Sequence, residues 1–129
     1  MITFFINYLS KHRYLLPVGI VLLTILTLLL TLLPGSSLPS SRLWSYDKLG
    51  HFLLFGSWTY LLGLYRYFMT GNHVHLLPVF LLGVSFGVAV EFLQYMLPVQ
   101  RQADFLDLAF DALGCLAAVL ALKKSLPEQ

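Results

Sequence analysis

Four stretches of about 20 mostly apolar residues, at 15–33, 49–68, 76–97 and 105–122, dominate this chain and restrict how it can fold. A helix of that length crosses the roughly 30 Å of hydrocarbon in a bilayer, where each backbone N–H and C=O must be satisfied within its own segment. Only 11% of the residues are charged and 58% are hydrophobic, whereas a soluble domain carries about 25% charged side chains. So few charges cannot coat a solvated enzyme, and so much apolar surface excludes a disordered chain. The sequence therefore predicts an all-α, polytopic membrane protein: four transmembrane helices in a small bundle, forming a single domain over 1–129.

Short punctuated links separate the stretches. Pro34, Gly35, Ser36, Ser37, Pro39, Ser40 and Ser41 cannot continue a helix, Gly71-Asn72 marks a second turn, and Pro98 to Gln102 marks a third. The first stretch follows Lys11 and Arg13 as a signal core follows its basic region. It is longer than such a core and no A-x-A site follows it, so this span is expected to be retained. Phe4, Phe5, Tyr8 and Leu9 recur at helical spacing before it. That pattern suits a short helix lying in the membrane interface, or equally a frayed start to the first span. With four spans, Lys11, Arg13, Arg66, Lys123 and Lys124 fall on one side and Arg42, Lys48 and Arg101 on the other. Five basic residues against three place both termini in the cytoplasm.

Several chemistries lack their residues. A net charge of +2 with no basic stripe excludes a nucleic-acid surface. The lone Cys115 allows neither an intrachain disulfide nor a Cys/His zinc cluster, and no Ser stands in a G-x-S-x-G elbow. His12, His73 and His75 fall in links and are expected to be solvated, while Ser57, Thr59 and Ser85 are expected to bond their own helix backbone.

The remaining polar residues gather at one end of the predicted bundle, on the extracytoplasmic side. Asp47, Lys48 and His51 open the second span, Glu91 and Gln94 close the third, and Arg101, Asp104, Asp107 and Asp111 open the fourth. At about 1.5 Å per residue, His51 lies about 6 Å inward of Asp47, Asp111 about 6 Å inward of Asp107, and Glu91 about 9 Å inward of Leu97. Ionisable groups from three helices thus reach similar depths. Each set is spaced by three, four or seven residues and so forms one stripe. Gly83, Gly87, Gly114 and Ala118 extend these stripes and turn them towards the bundle interior. An ionisable side chain at mid-span costs roughly 2.5–3.5 kcal/mol on insertion scales, so such groups require partners, water or a function.

The string Asp47-Lys48-Leu49-Gly50-His51-Phe52 with Phe55 resembles the DKxxHFxxF signature of VanZ-like membrane proteins. Glu91, Gln94, Arg101, Asp104, Asp107 and Gly114 resemble that family's second signature, an ExxQ followed by RxxDxxD and a later Gly. Asp111 stands where the family often has Asn, and Ala118 where Gly is common. The resemblance implies a small helical bundle in the bacterial plasma (inner) membrane. The family is named for a member associated with resistance to the glycopeptide teicoplanin, and membership implies no particular reaction.

Three functions suit the cluster. It packs the bundle or binds a partner in a non-enzymatic cell-envelope component, for example by pairing Arg101 with an Asp and His51 with Glu91. Alternatively it serves a metal-assisted enzyme or binding protein for an envelope lipid or glycan precursor. His51, Glu91 and Asp107 would then be the catalytic candidates, and Arg101 would hold a phosphate or carboxylate. In that case His51, Glu91, Asp104, Asp107 and Asp111 offer one nitrogen and several carboxylate oxygens to a divalent cation. A proton or ion path is the third reading, although no ionisable chain continues into the inner half of the spans.

Overall fold

The computed structural model describes residues 2–33, 43–71, 73–98 and 104–126; of residues 2, 3, 5 and 43–46 it describes the backbone alone. The link at 34–41, Asn72, Gln100, Arg101 and Gln102 lie outside the described residues. The described chain forms five helices: α1 (Ile2–Lys11), α2 (Leu15–Thr31), α3 (Leu43–Met69), α4 (Leu76–Met96) and α5 (Phe105–Ser125).

Local chemistry explains the boundaries. Pro17 and Pro78 sit in the first turns of α2 and α4, where their missing N–H has no helical partner to lose. Leu97 and Leu126 each precede a proline and take extended backbone (ψ 144° in both), which stops α4 and α5. Gly71 turns the chain between α3 and α4 with φ 73°, a value that a side chain would oppose. Asp104 caps α5 by accepting from the Leu106 N–H at 2.8 Å.

Each predicted span falls on a helix, although the ends differ: α4 stops one residue early, α5 runs three residues further, and α2 and α3 differ as follows. α2 ends at Thr31 and has 17 residues, or about 26 Å. α3 starts six residues before the predicted span and has 27 residues, because the polar Asp47-Lys48 turn is helical rather than part of the link. Two helices, α4 and α5, are long and apolar enough to cross a membrane, and α2 is a shorter apolar helix. The first segment is a helix in its own right: α1 is separated from α2 by a turn at His12 to Tyr14, so it is not a frayed start to α2.

α3 is the central helix and packs most extensively on α5, then on α2 and α4. The α3–α5 approach is close because Gly114 lies against the Phe52 carbonyl; a Cβ there would collide with that oxygen. Leu9, Leu16, Leu64, Tyr67, Phe68, Val79 and Leu122 form an apolar cluster at the end of the bundle holding the α3 and α5 C-termini. Phe55, Val90 and Cys115 form a second cluster nearer the opposite end. Leu22, Ile25, Leu29, Leu81, Phe92 and Leu116 remain exposed, so the outer surface is apolar, as a lipid-facing surface is.

Candidate functional site

The start of α3, the end of α4 and the start of α5 meet at one end of the bundle, and their polar side chains form two layers. In the outer layer the Lys48 ammonium lies 2.9 Å from Asp107 Oδ1 and 3.1 Å from Asp104 Oδ2. This pairing ties α3 to the cap of α5. The Leu106 N–H and then Lys48 hold the Asp104 carboxyl below the usual carboxylate range. The two carboxylates also sit beside the positive N-terminal end of α5.

The inner layer is buried. His51 Nδ1 lies 2.9 Å from Asp111 Oδ1, and His51 Nε2 lies 4.0 Å from Asp107 Oδ2. Glu91 Oε2 accepts the backbone N–H of Asp104 at 3.1 Å, which joins α4 to the start of α5. His51, Glu91 and Asp111 are 2%, 7% and 0% exposed, and one ligand atom from each falls within 4.8 Å of the others. Asp47, His51 and Asp107 make a second group at the same spacing, with Asp47 half-buried.

Satisfaction differs sharply between the layers. His51 Nε2, Glu91 Oε1 and Asp111 Oδ2 are buried without a hydrogen-bond partner among the described residues. Leaving a buried polar atom unmatched costs about 1–3 kcal/mol, more when it is charged. Lys48 compensates the outer carboxylates, but among the described residues no ammonium or guanidinium is paired with Glu91 or Asp111. Asp111 Oδ2 faces Gly87, where a Cβ would come within 2.8 Å of it. Below the layer, Phe55 stacks near His51 with ring centroids 5.8 Å apart, and Phe86 packs against Phe55 in turn. That apolar floor separates the cluster from the middle of the bundle.

The cluster thus brings together Asp47, Lys48, His51, Glu91, Asp104, Asp107 and Asp111. Gln94 does not join it: its Nε2 donates to the Thr31 carbonyl at 2.8 Å, satisfying an end of α2. Its position one turn beyond Glu91 puts it on the same stripe, yet α2 rather than α5 lies opposite. His51 pairs with Asp111 rather than with Glu91. Thr59, expected to bond its own helix, instead donates to Cys115 Sγ at 3.2 Å and links α3 to α5.

The VanZ/LLP1 family model matches residues 3–125, a stretch that contains every member of this cluster. The chain belongs to the VanZ/LLP1 family. No curated protein and no solved structure matches it significantly. In this VanZ/LLP1 protein, the two signature strings meet in one polar cluster. The first supplies Asp47, Lys48 and His51 from α3, and the second supplies Glu91 from α4, Asp104 from the cap of α5 and Asp107 from α5. Sequence reasoning missed the roles of Gly87 and Thr59. Gly87 lay on the Glu91 stripe, which marked it as a packing residue but not as the neighbour of Asp111.

Proposed function

We propose that this VanZ/LLP1 protein is a four-span integral membrane protein, a single-domain cell-envelope component whose polar cluster binds a positively charged ligand from the extracytoplasmic side. α4 and α5 have the length and composition of spans. The 27 residues of α3 extend about 40 Å, and α2 is apolar along its length, so the same bilayer accommodates all four. Arg66 and the pair Lys123 and Lys124 lie in the last turns of α3 and α5, at the end opposite the cluster. With Lys11 and Arg13 they support cytoplasmic termini in the bacterial plasma membrane.

The observation that carries the binding reading is the set of buried atoms on His51, Glu91 and Asp111 that lack a hydrogen-bond partner among the described residues. A cluster that served packing alone would pair its charges, as the outer layer does. Charge sign selects the ligand. Five carboxylates, Asp47, Glu91, Asp104, Asp107 and Asp111, face Lys48 and His51 as the described positive partners. Such a surplus attracts a cation and repels a bare phosphate.

A thermal-unfolding series on the purified chain in detergent tests this, using divalent metal salts and ethanolamine as the amine probe. At least one cation will raise the unfolding temperature of the unaltered protein and leave Glu91→Gln unmoved. The binding reading is wrong if no cation stabilises the protein, or if Glu91→Gln responds equally.

A further inference from the structure

We propose that an apolar groove between α2, α3 and α5 holds one acyl chain of an anionic phospholipid, whose phosphate is met by Lys124. The site goes beyond the polar cluster and does not depend on it. The groove has a volume of about 520 Å³, within the range of small-molecule sites. Leu23 of α2, Phe52 and Leu64 of α3, and Ala117 and Ala121 of α5 form its walls, and Leu9 of α1 adds to its lining. From Phe52 to Leu64 it follows α3 for about 18 Å, the scale of an extended chain rather than of a compact solute. Elsewhere the outer faces carry bulky side chains such as Leu22, Leu29 and Leu81. Here α5 presents alanines, and the surface is recessed.

Charge selects the headgroup and the end at which it sits. Among the described residues every Asp and Glu lies at the cluster end of the bundle. Leu9, Leu64 and Ala121 mark the other end of the groove, where Lys123 and Lys124 occupy the last turn of α5. Lys124 follows Ala117 and Ala121 by seven and three residues, so it continues the α5 wall, and it is exposed. A Lys at the end of a span extends its ammonium to the headgroup level while its stem covers apolar surface. Tyr60 also lines the groove, and its hydroxyl lies 3.3 Å from Ser125 Oγ, which sets two hydroxyls beside the same turn. With the orientation proposed above, this end meets the cytoplasmic leaflet, whose anionic lipids are collected by basic pockets between helices. A second copy of the chain suits the groove less well. Packed there in the same membrane orientation, it would set two basic ends side by side.

The test is native mass spectrometry of the full-length protein in detergent, with phosphatidylglycerol and phosphatidylcholine of identical acyl chains supplied together. One phosphatidylglycerol per chain is expected to stay bound in preference to phosphatidylcholine. Lys124→Gln should cut that preference about fivefold, the weight of one basic side chain at an anionic headgroup. Ala117→Phe fills the groove and should abolish retention. Leu81→Phe, on the exposed face of α4, and Glu91→Gln, in the cluster, should keep the lipid. If Ala117→Phe does not fold, Lys124→Gln decides through the lipid ratio. Retention in Ala117→Phe, or an equal loss in Leu81→Phe, would overturn the groove as the site. Equal retention of both lipids, unchanged in Lys124→Gln, would overturn the headgroup assignment and with it the proposal. A dimer that Ala117→Phe dissociates would give the groove to a second copy and overturn it as well. These groove variants leave the cluster untouched, so failure here and failure of the cation-binding reading are separately visible.

Discussion

His51 Nδ1 and Asp111 Oδ1 lie 2.9 Å apart between α3 and α5, while the other oxygen of the same carboxylate has no partner among the described residues. With Asp111 ionised, Nδ1 must be the donor, since a carboxylate only accepts. One side of each group therefore holds the helices together, while His51 Nε2 lies 4.0 Å from Asp107 Oδ2 and Asp111 Oδ2 lies beside Gly87.

The His51–Asp111 contact should show as energetic coupling. In a double-mutant cycle with His51→Ala and Asp111→Asn, unfolding in detergent should give an interaction of about 0.5–3 kcal/mol. Additive single effects would mean that the 2.9 Å contact contributes nothing.

Lys48 is predicted to matter more than a surface cation. Replacing it in Lys48→Met leaves buried Asp107 without its 2.9 Å partner, a loss of about 3–5 kcal/mol for a broken buried pair. Adding Asp107→Asn should recover part of that loss. An unfolding curve for Lys48→Met that overlays the parent would show that solvent already compensates these carboxylates.

Much of this site was legible in the sequence because helical rise converts residue number into depth. His51, Glu91 and Asp111 were placed at similar depths from their distances to the span ends, and their ligand atoms fall within 4.8 Å of one another. The stripe periodicity likewise turned these residues inward. Periodicity names the face of a helix but not its neighbour, however, so Gln94 was grouped with Glu91 although its partner is the Thr31 carbonyl. The start of α3 was set too late because a charged turn resembles a link in hydropathy, while the Lys48 pairing with Asp104 and Asp107 gives that turn a packed helical role. α1 was legible only as one of two alternatives, since ten residues of pattern do not reveal where a helix breaks.

Two glycines in the same region should respond in opposite ways to alanine. At Gly114 a methyl group meets the Phe52 carbonyl and forces α3 and α5 apart, a loss of about 1–3 kcal/mol. At Gly50 a methyl group meets nothing within 4 Å, and helix propensity should stabilise the protein by about 0.5–1 kcal/mol. Equal shifts in the two unfolding temperatures would contradict the close α3–α5 approach.

Acid should weaken the α5 cap. The folded Asp104 carboxyl is held below its ordinary value of 3.8, so its stabilisation is present above that pH and is lost as pH falls through the folded value. Asp104→Asn keeps a capping oxygen but loses this acid-side dependence, whereas Asp104→Ala should cost about 1 kcal/mol at neutral pH. A pH series of unfolding temperatures distinguishes the two. Identical acid limbs for Asp104→Asn and the parent would rule out the charged cap.

The most direct measurement compares the stability of the parent and Glu91→Gln, each with and without saturating cation. In cation-free detergent buffer Glu91→Gln should be the more stable protein, because it replaces a buried carboxyl whose Oε1 has no hydrogen-bond partner among the described residues with a neutral amide. On adding the cation the parent should gain stability and overtake a variant that does not respond. A Glu91→Gln protein that is less stable than the parent without cation, with neither protein responding to cation, would contradict binding and leave the cluster as packing alone.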